Sequence, residues 1–115
     1  MWEIEKYIRD NGRCPCQDFL DQLNVASELP YVTRAINQLM EHGFNLKRPQ
    51  AAYLRDDIYE LRIKTINRQI RILYFFFERR KIILTNGLIK KSERTAETEI
   101  EKAINYRKNY MEQKR

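Results

Sequence analysis

The residues able to do chemistry gather in one stretch of the chain. Arg62, Lys64, Arg68, Arg71, Lys90 and Lys91 fall on or beside three consecutive strand-like segments, and Tyr53, Tyr59 and Tyr74 lie among them. Cations interleaved with aromatic rings suit single-stranded RNA, because the cations hold phosphates and the rings stack on bases. The same residues fit a plainer reading. Tyr59 and Tyr74 serve equally well as sheet packing, and Glu60 serves equally well as an ion-pair partner for Arg62 or Arg71 across strands. Charge alone does not separate a surface that binds RNA from one that cleaves it.

The usual catalytic sets are missing. The sequence has no Ser-His-Asp arrangement, no Gly-rich phosphate loop and no cluster of His, Cys and Asp at metal-ligand spacing. Cys14 and Cys16 are too close for ordinary disulfide geometry and offer only two of the four ligands that a structural zinc takes. No cofactor and no metal are therefore expected. His42 is the sole histidine, and it reads as a residue in the last turn of a helix, where its charge suits the helix dipole.

With 115 residues, the chain fits a single domain over 1–115, and 43% apolar with 33% charged residues is a folded composition. The net charge of +6 is unevenly placed: residues 1–57 carry −2 and residues 58–115 carry +8. A basic half of this kind expects an anionic partner, nucleic acid first. No apolar run is long enough for a membrane span, and Met1-Trp2-Glu3-Ile4-Glu5-Lys6 does not resemble a signal peptide, so the expected compartment is the cytoplasm.

Elements to carry these residues follow from the hydrophobic spacing. Residues 2–8 alternate as a short strand, and Asp10-Asn11-Gly12 is a turn. Pro15 opens a short helix over roughly 15–24, with Phe19, Leu20 and Leu23 on one face. Ser27 is placed to cap a second helix, whose stripe is Leu29, Val32, Ile36, Leu39 and Met40 and whose stop is Gly43. From residue 58 the period changes to two. Ile58–Lys64 sets Tyr59, Leu61 and Ile63 on one face and Glu60, Arg62 and Lys64 on the other. Gln69–Phe77 and Lys81–Ile89 complete a three-stranded meander, and Phe75-Phe76-Phe77 reads as a strand buried on both faces. Thr95 is placed to cap a last helix bearing Ile100, Ala103, Ile104, Tyr110 and Met111. The order is βααβββα, an α+β domain in which helices cover an antiparallel sheet of the N-terminal strand plus the meander.

The residues that carry the cations also carry a resemblance. Leu54-Arg55-Asp56-Asp57-Ile58-Tyr59-Glu60-Leu61-Arg62 resembles the L-x-x-G-x-x-E-L-R signature of the phage-derived HigB-like toxins of the RelE/ParE superfamily. Arg71-Ile72-Leu73-Tyr74-Phe75 resembles their R-I-L-Y-F strand, and Leu84–Lys91 their L-L-H-G-F-x-K-K. Gly12-Arg13-Cys14-Pro15 with Phe19-Leu20 matches the family's lead into the first helix. The sequence departs from the pattern at Asp57 (Gly in the family), Asn86 (His), Leu88 (Phe) and Ala96 (Pro).

The resemblance implies a RelE-like fold and the toxin of a type II toxin-antitoxin system: a ribosome-dependent mRNA endonuclease partnered by a small HigA-like helix-turn-helix antitoxin. Such enzymes work without metal, letting the RNA's own 2′-hydroxyl attack the adjacent phosphate. On that reading Arg71 clamps the scissile phosphate, and Lys90 or Lys91 stabilises charge or moves a proton. Arg62, Arg68 and Lys64 hold flanking phosphates, Tyr74 or Tyr53 stacks on a base, and Asn86 joins the RNA-binding set. Asn86 puts in doubt any mechanism that needs a histidine base at its position. Arg71 and Tyr74 fall on opposite faces of one strand under strict alternation. Two other classes share the features seen: a ParE-like toxin that inhibits DNA gyrase, and a nucleic-acid-binding module without toxicity.

Overall fold

The computed structural model describes all 115 residues. Strand β1 (Glu3–Lys6) leads to helix α1 (Pro15–Leu20) and helix α2 (Leu29–His42), which ends in a short 3-10 turn at Gly43–Asn45. Strands β2 (Ala51–Arg55), β3 (Ile58–Lys64), β4 (Gln69–Phe77) and β5 (Lys81–Ile89) follow, and helix α3 (Glu97–Gln113) closes the domain. The five strands form one sheet in the order β1-β5-β4-β3-β2.

The meander lies at the bounds that its period-two pattern sets, and the class is α+β. Four expectations are corrected. The sheet has a fifth strand, β2, that the sequence conceals: Ala51-Ala52 has little strand preference, and two consecutive buried residues break the alternation that would mark a strand. The sheet is mixed rather than antiparallel, because β1 runs parallel to β5. Neither expected side-chain cap forms. Glu28, not Ser27, precedes α2, and Ala96, not Thr95, precedes α3, with no capping side-chain bond at either. Helix α1 also stops early, at Leu20.

Each strand presents alternate residues to two cores. On one face, Leu61, Ile63, Ile70, Ile72 and Tyr74 pack with Leu20, Val32 and Leu39 from the helical N-terminal half. On the other, Ile58, Leu73 and Phe75 pack with Ala103 and Tyr110 of α3. The three-phenylalanine run divides accordingly: Phe75 and Phe77 face α3, and Phe76 faces the first core.

Strand β5 changes faces midway. Its pairing with β4 steps from Tyr74↔Leu84 to Ile72↔Gly87, so β5 carries one extra residue, a bulge at Thr85-Asn86. Before the bulge, Ile82 and Leu84 belong to the first core; after it, Ile89 does. Gly87 lies under Phe19, whose ring would stand 2.2 Å from any Cβ there.

The β2–β3 hairpin turns on Asp56 and Asp57, with φ of 50° and 66°. A two-residue turn with positive φ at both positions is the tight hairpin that favours Asn-Gly. Asp57 takes the place of that glycine, and its carboxylate sits 3.3 Å from Arg107 of α3. Asp57→Gly is expected to raise stability by about 0.5 kcal/mol, since roughly 1 kcal/mol of left-handed strain outweighs an exposed ion pair. A urea midpoint below that of wild type would show that the Arg107 contact dominates.

Candidate nucleic-acid interface

Alternation puts Glu60 and Arg62 of β3 and Arg71 of β4 on the α3 face, with Arg62 and Arg71 directly opposite each other. Glu60 is 1% exposed. Its carboxylate accepts from Arg62 Nε at 2.8 Å, from Arg71 Nη1 and from the Thr95 hydroxyl. Arg71 Nη1 also donates to Thr95 Oγ1 at 3.1 Å. Burial alone pushes the Glu60 carboxyl up, but the hydrogen bonds from Thr95, Arg62 and Arg71, with the Arg71 charge, outweigh it and hold the group below its ordinary value. Thr95, expected as a helix cap, instead ties the lead into α3 to the sheet.

This network decides what the arginines can reach. Arg71 is 4% exposed and lines none of the grooves described below, so its Nη1 is committed to the protein rather than offered to a phosphate. Arg62 also lines none of these grooves, but it spends only its Nε on Glu60 and is 27% exposed at the side chain, which leaves the end of its fork free. The cross-strand ion pair therefore forms, and it takes both arginines.

Beyond the start of α3, the ends of β3, β4 and β5 border an open groove of about 730 Å³. Lys64, Arg68, Lys90 and Lys91 all line it. Lys90 Nζ lies 3.3 Å from Gln69 Oε1, and the Lys90 amide pairs with the Gln69 carbonyl. Arg68 is less available than its neighbours. Its Nε and Nη2 grip Glu28 at 2.8 and 2.7 Å, and that grip lowers the Glu28 carboxyl below its usual range.

A second groove of about 570 Å³ adjoins the first through Ile89, Lys91 and Ser92, and runs between α1, β5 and the start of α3. Asn86 lines it, but its Nδ2 donates to the Glu99 carbonyl at 3.1 Å and to the Glu99 carboxylate at 3.2 Å, so it anchors the first turn of α3. Arg94 and Lys102 add two cations to this groove that the sequence did not single out. Both lie outside the strand motifs, in a segment that reads as a plain exit and on a polar helix face.

The tyrosines sit elsewhere. Tyr74 is 1% exposed on the first-core face, and burial pushes its phenol up. It stacks on Tyr59 at 5.5 Å, and Tyr59 meets the exposed ring of Tyr53 at 5.1 Å. Tyr53 and Tyr74 thus line a third groove on the opposite side of the sheet from Arg71. The other functional candidates resolve simply. Cys14 and Cys16 are unpaired, and burial pushes the Cys16 thiol up to about 12, so it stays protonated. No helix is long and apolar enough to cross a membrane.

An α+β domain with a five-stranded sheet and a basic groove at one end defines the class. The chain belongs to the family described as phage derived protein Gp49-like (DUF891), which matches residues 18–108 and is related to RelE/HigB-type toxins. No curated protein matches it.

Removing the Glu60 carboxylate leaves a buried arginine unpaired, a change that typically costs 3–5 kcal/mol, so Glu60→Ala is expected to lose stability by about that much. The pH dependence carries the sign. With its folded value depressed, Glu60 adds stability above its unfolded value of 4.5 and loses it as pH falls through the folded value. Urea titrations of Glu60→Gln from pH 7 down to acid are expected to show a flatter decline than wild type. Parallel declines would remove Glu60 as the source.

Proposed function

We propose that this chain is a growth-inhibiting toxin that cleaves mRNA on the ribosome. The observation that carries the proposal is the open groove where Lys64, Lys90 and Lys91 converge at the uncovered end of the sheet. Membership of a family related to RelE/HigB-type toxins supports it. The neutralising partner on this reading is a helix-turn-helix antitoxin.

The proposed reaction needs little from the protein beyond placement and charge. The RNA 2′-oxygen gives up its proton to water and bonds to the adjacent phosphorus. The bond from phosphorus to the 5′-oxygen breaks, and that oxygen takes up a proton, leaving a 2′,3′-cyclic phosphate and a 5′-hydroxyl. Extra negative charge builds on the phosphoryl oxygens in between, and fixed ammonium groups favour that state over the ground state. Lys91, shared by both grooves, is assigned to that charge, and Lys90 to donating the proton that the 5′-oxygen takes up, with Gln69 Oε1 accepting from its ammonium. Arg62 and Lys64 hold flanking phosphates. Arg71 is a positioning residue: it fixes Glu60, which aims the Arg62 fork.

Induced expression with mapping of mRNA 5′ ends tests this reading. Wild type is expected to arrest growth and produce discrete cuts within translated regions. Lys90→Ala with Lys91→Ala is expected to lower cutting at least 100-fold at equal protein level, with an unchanged thermal melt, since one such charge-stabilising donor is worth about 10²–10³. Halted replication with intact mRNA would identify a gyrase-type toxin instead, and normal growth a binding module.

A further inference from the structure

The third groove, of about 460 Å³, carries no assigned role and lies across the sheet from the basic one. Its rings form an unbroken series. Phe44 packs on Phe76 at 4.1 Å and edge-on to Trp2 at 4.7 Å, Phe76 meets Tyr59 at 5.1 Å, and Tyr59 meets Tyr53 at 5.1 Å. Phe44 and Tyr53, at its two ends, are 54% and 53% exposed. Gly43 makes the arrangement possible: its φ is 50°, and a Cβ there would stand 1.9 Å from the Trp2 ring. Large rings held in place and left in water cost free energy unless something covers them.

Two further features say what kind of molecule would cover them. The groove is bordered by β2, the outermost strand of the sheet, where Ala51 and Ala52 are buried and the Ala51 amide donates to the Lys47 carbonyl, so the open stretch of the edge is Tyr53–Arg55. Its only charged lining residues are Lys47 and Arg48. A free strand edge beside an apolar groove suits an extended peptide, which pairs its backbone and sets alternate side chains into the groove. The two cations select an acidic one. A second copy of this chain would bring Lys47 and Arg48 against themselves and add +6 to +6. A nucleic acid would use the cations and rings but leave the strand edge unpaired.

We propose that the β2 edge and the Phe44–Tyr53 groove form a docking surface for an acidic, extended segment of a partner protein, with large apolar side chains at alternate positions. The surface is separate from the basic groove and does not depend on RNA cleavage.

The test uses the full chain and a fluorescein-labelled heptapeptide in which Glu alternates with Phe and Leu. Anisotropy is expected to show saturable binding that Phe44→Ser and Tyr53→Ser each weaken at least tenfold. Both residues are more than half exposed, so the fold should survive, and thermal melts check it. Arg48→Glu is also expected to weaken binding, and Lys90→Ala with Lys91→Ala to leave it unchanged. Amides of residues 53–55 should exchange more slowly with the peptide present. Absence of saturable binding overturns the proposal, as does equal binding by the Phe44→Ser variant. A uridine dodecamer whose binding depends on Phe44 and Tyr53 would reassign the groove to RNA. A free-chain dimer that Phe44→Ser dissolves would reassign it to self-association.

Discussion

A carboxylate sealed inside a protein must be paired, and the Glu60 carboxylate meets that constraint with three donors from three parts of the chain. Its partners come from β3, β4 and the segment before α3. The Thr95 bond is the one with structural reach. It pins the lead into α3 above the middle of the sheet, so the helix starts there and runs back over Phe75 and Tyr7. The far end of the α3 face is left without a helix. That uncovered end is where the lysines stand. The same carboxylate sets the division of labour between the arginines, one locked and the other aimed.

The bulge in β5 is the second requirement. Without it, Ile82 and Leu84 would pass their parity on, and Lys90 would point to the face packed by α1 and α2. The extra residue turns Lys90 to the side of Gln69 and Lys64, and turns Gly87 under Phe19. One inserted position therefore gathers the basic groove and seats α1. The α2 side keeps the aromatic rings, so the two kinds of surface are separated by the thickness of the sheet.

Much of this was legible in the residues. The period-two run at Ile58–Lys64 gives its strand, its two faces and the pairing of Glu60 with its arginines, because alternation is a local property. The concentration of positive charge in the C-terminal half gives the basic end. What was hidden depends on distant partners. Nothing in Ala51-Ala52 announces a strand until β3 supplies its ladder. Thr95 has the type and place of a helix cap, and only the folded chain brings Glu60 close enough to compete for its hydroxyl. Arg71 and Tyr74 look equally available in sequence, yet each is buried, one on each face. Phe44 reads as one more apolar residue past a helix stop, and its exposure appears only when Trp2 and Phe76 fix it from behind.

The central claim is that the lysine-lined groove cleaves RNA by way of the substrate's own hydroxyl. Purified chain incubated with ribosomes carrying a defined mRNA tests it through the ends of the fragments. The account predicts 5′-hydroxyl ends, which polynucleotide kinase labels without prior phosphatase treatment, and cyclic phosphate at the other end. Intact mRNA, or fragments that carry a 5′-phosphate, would contradict it.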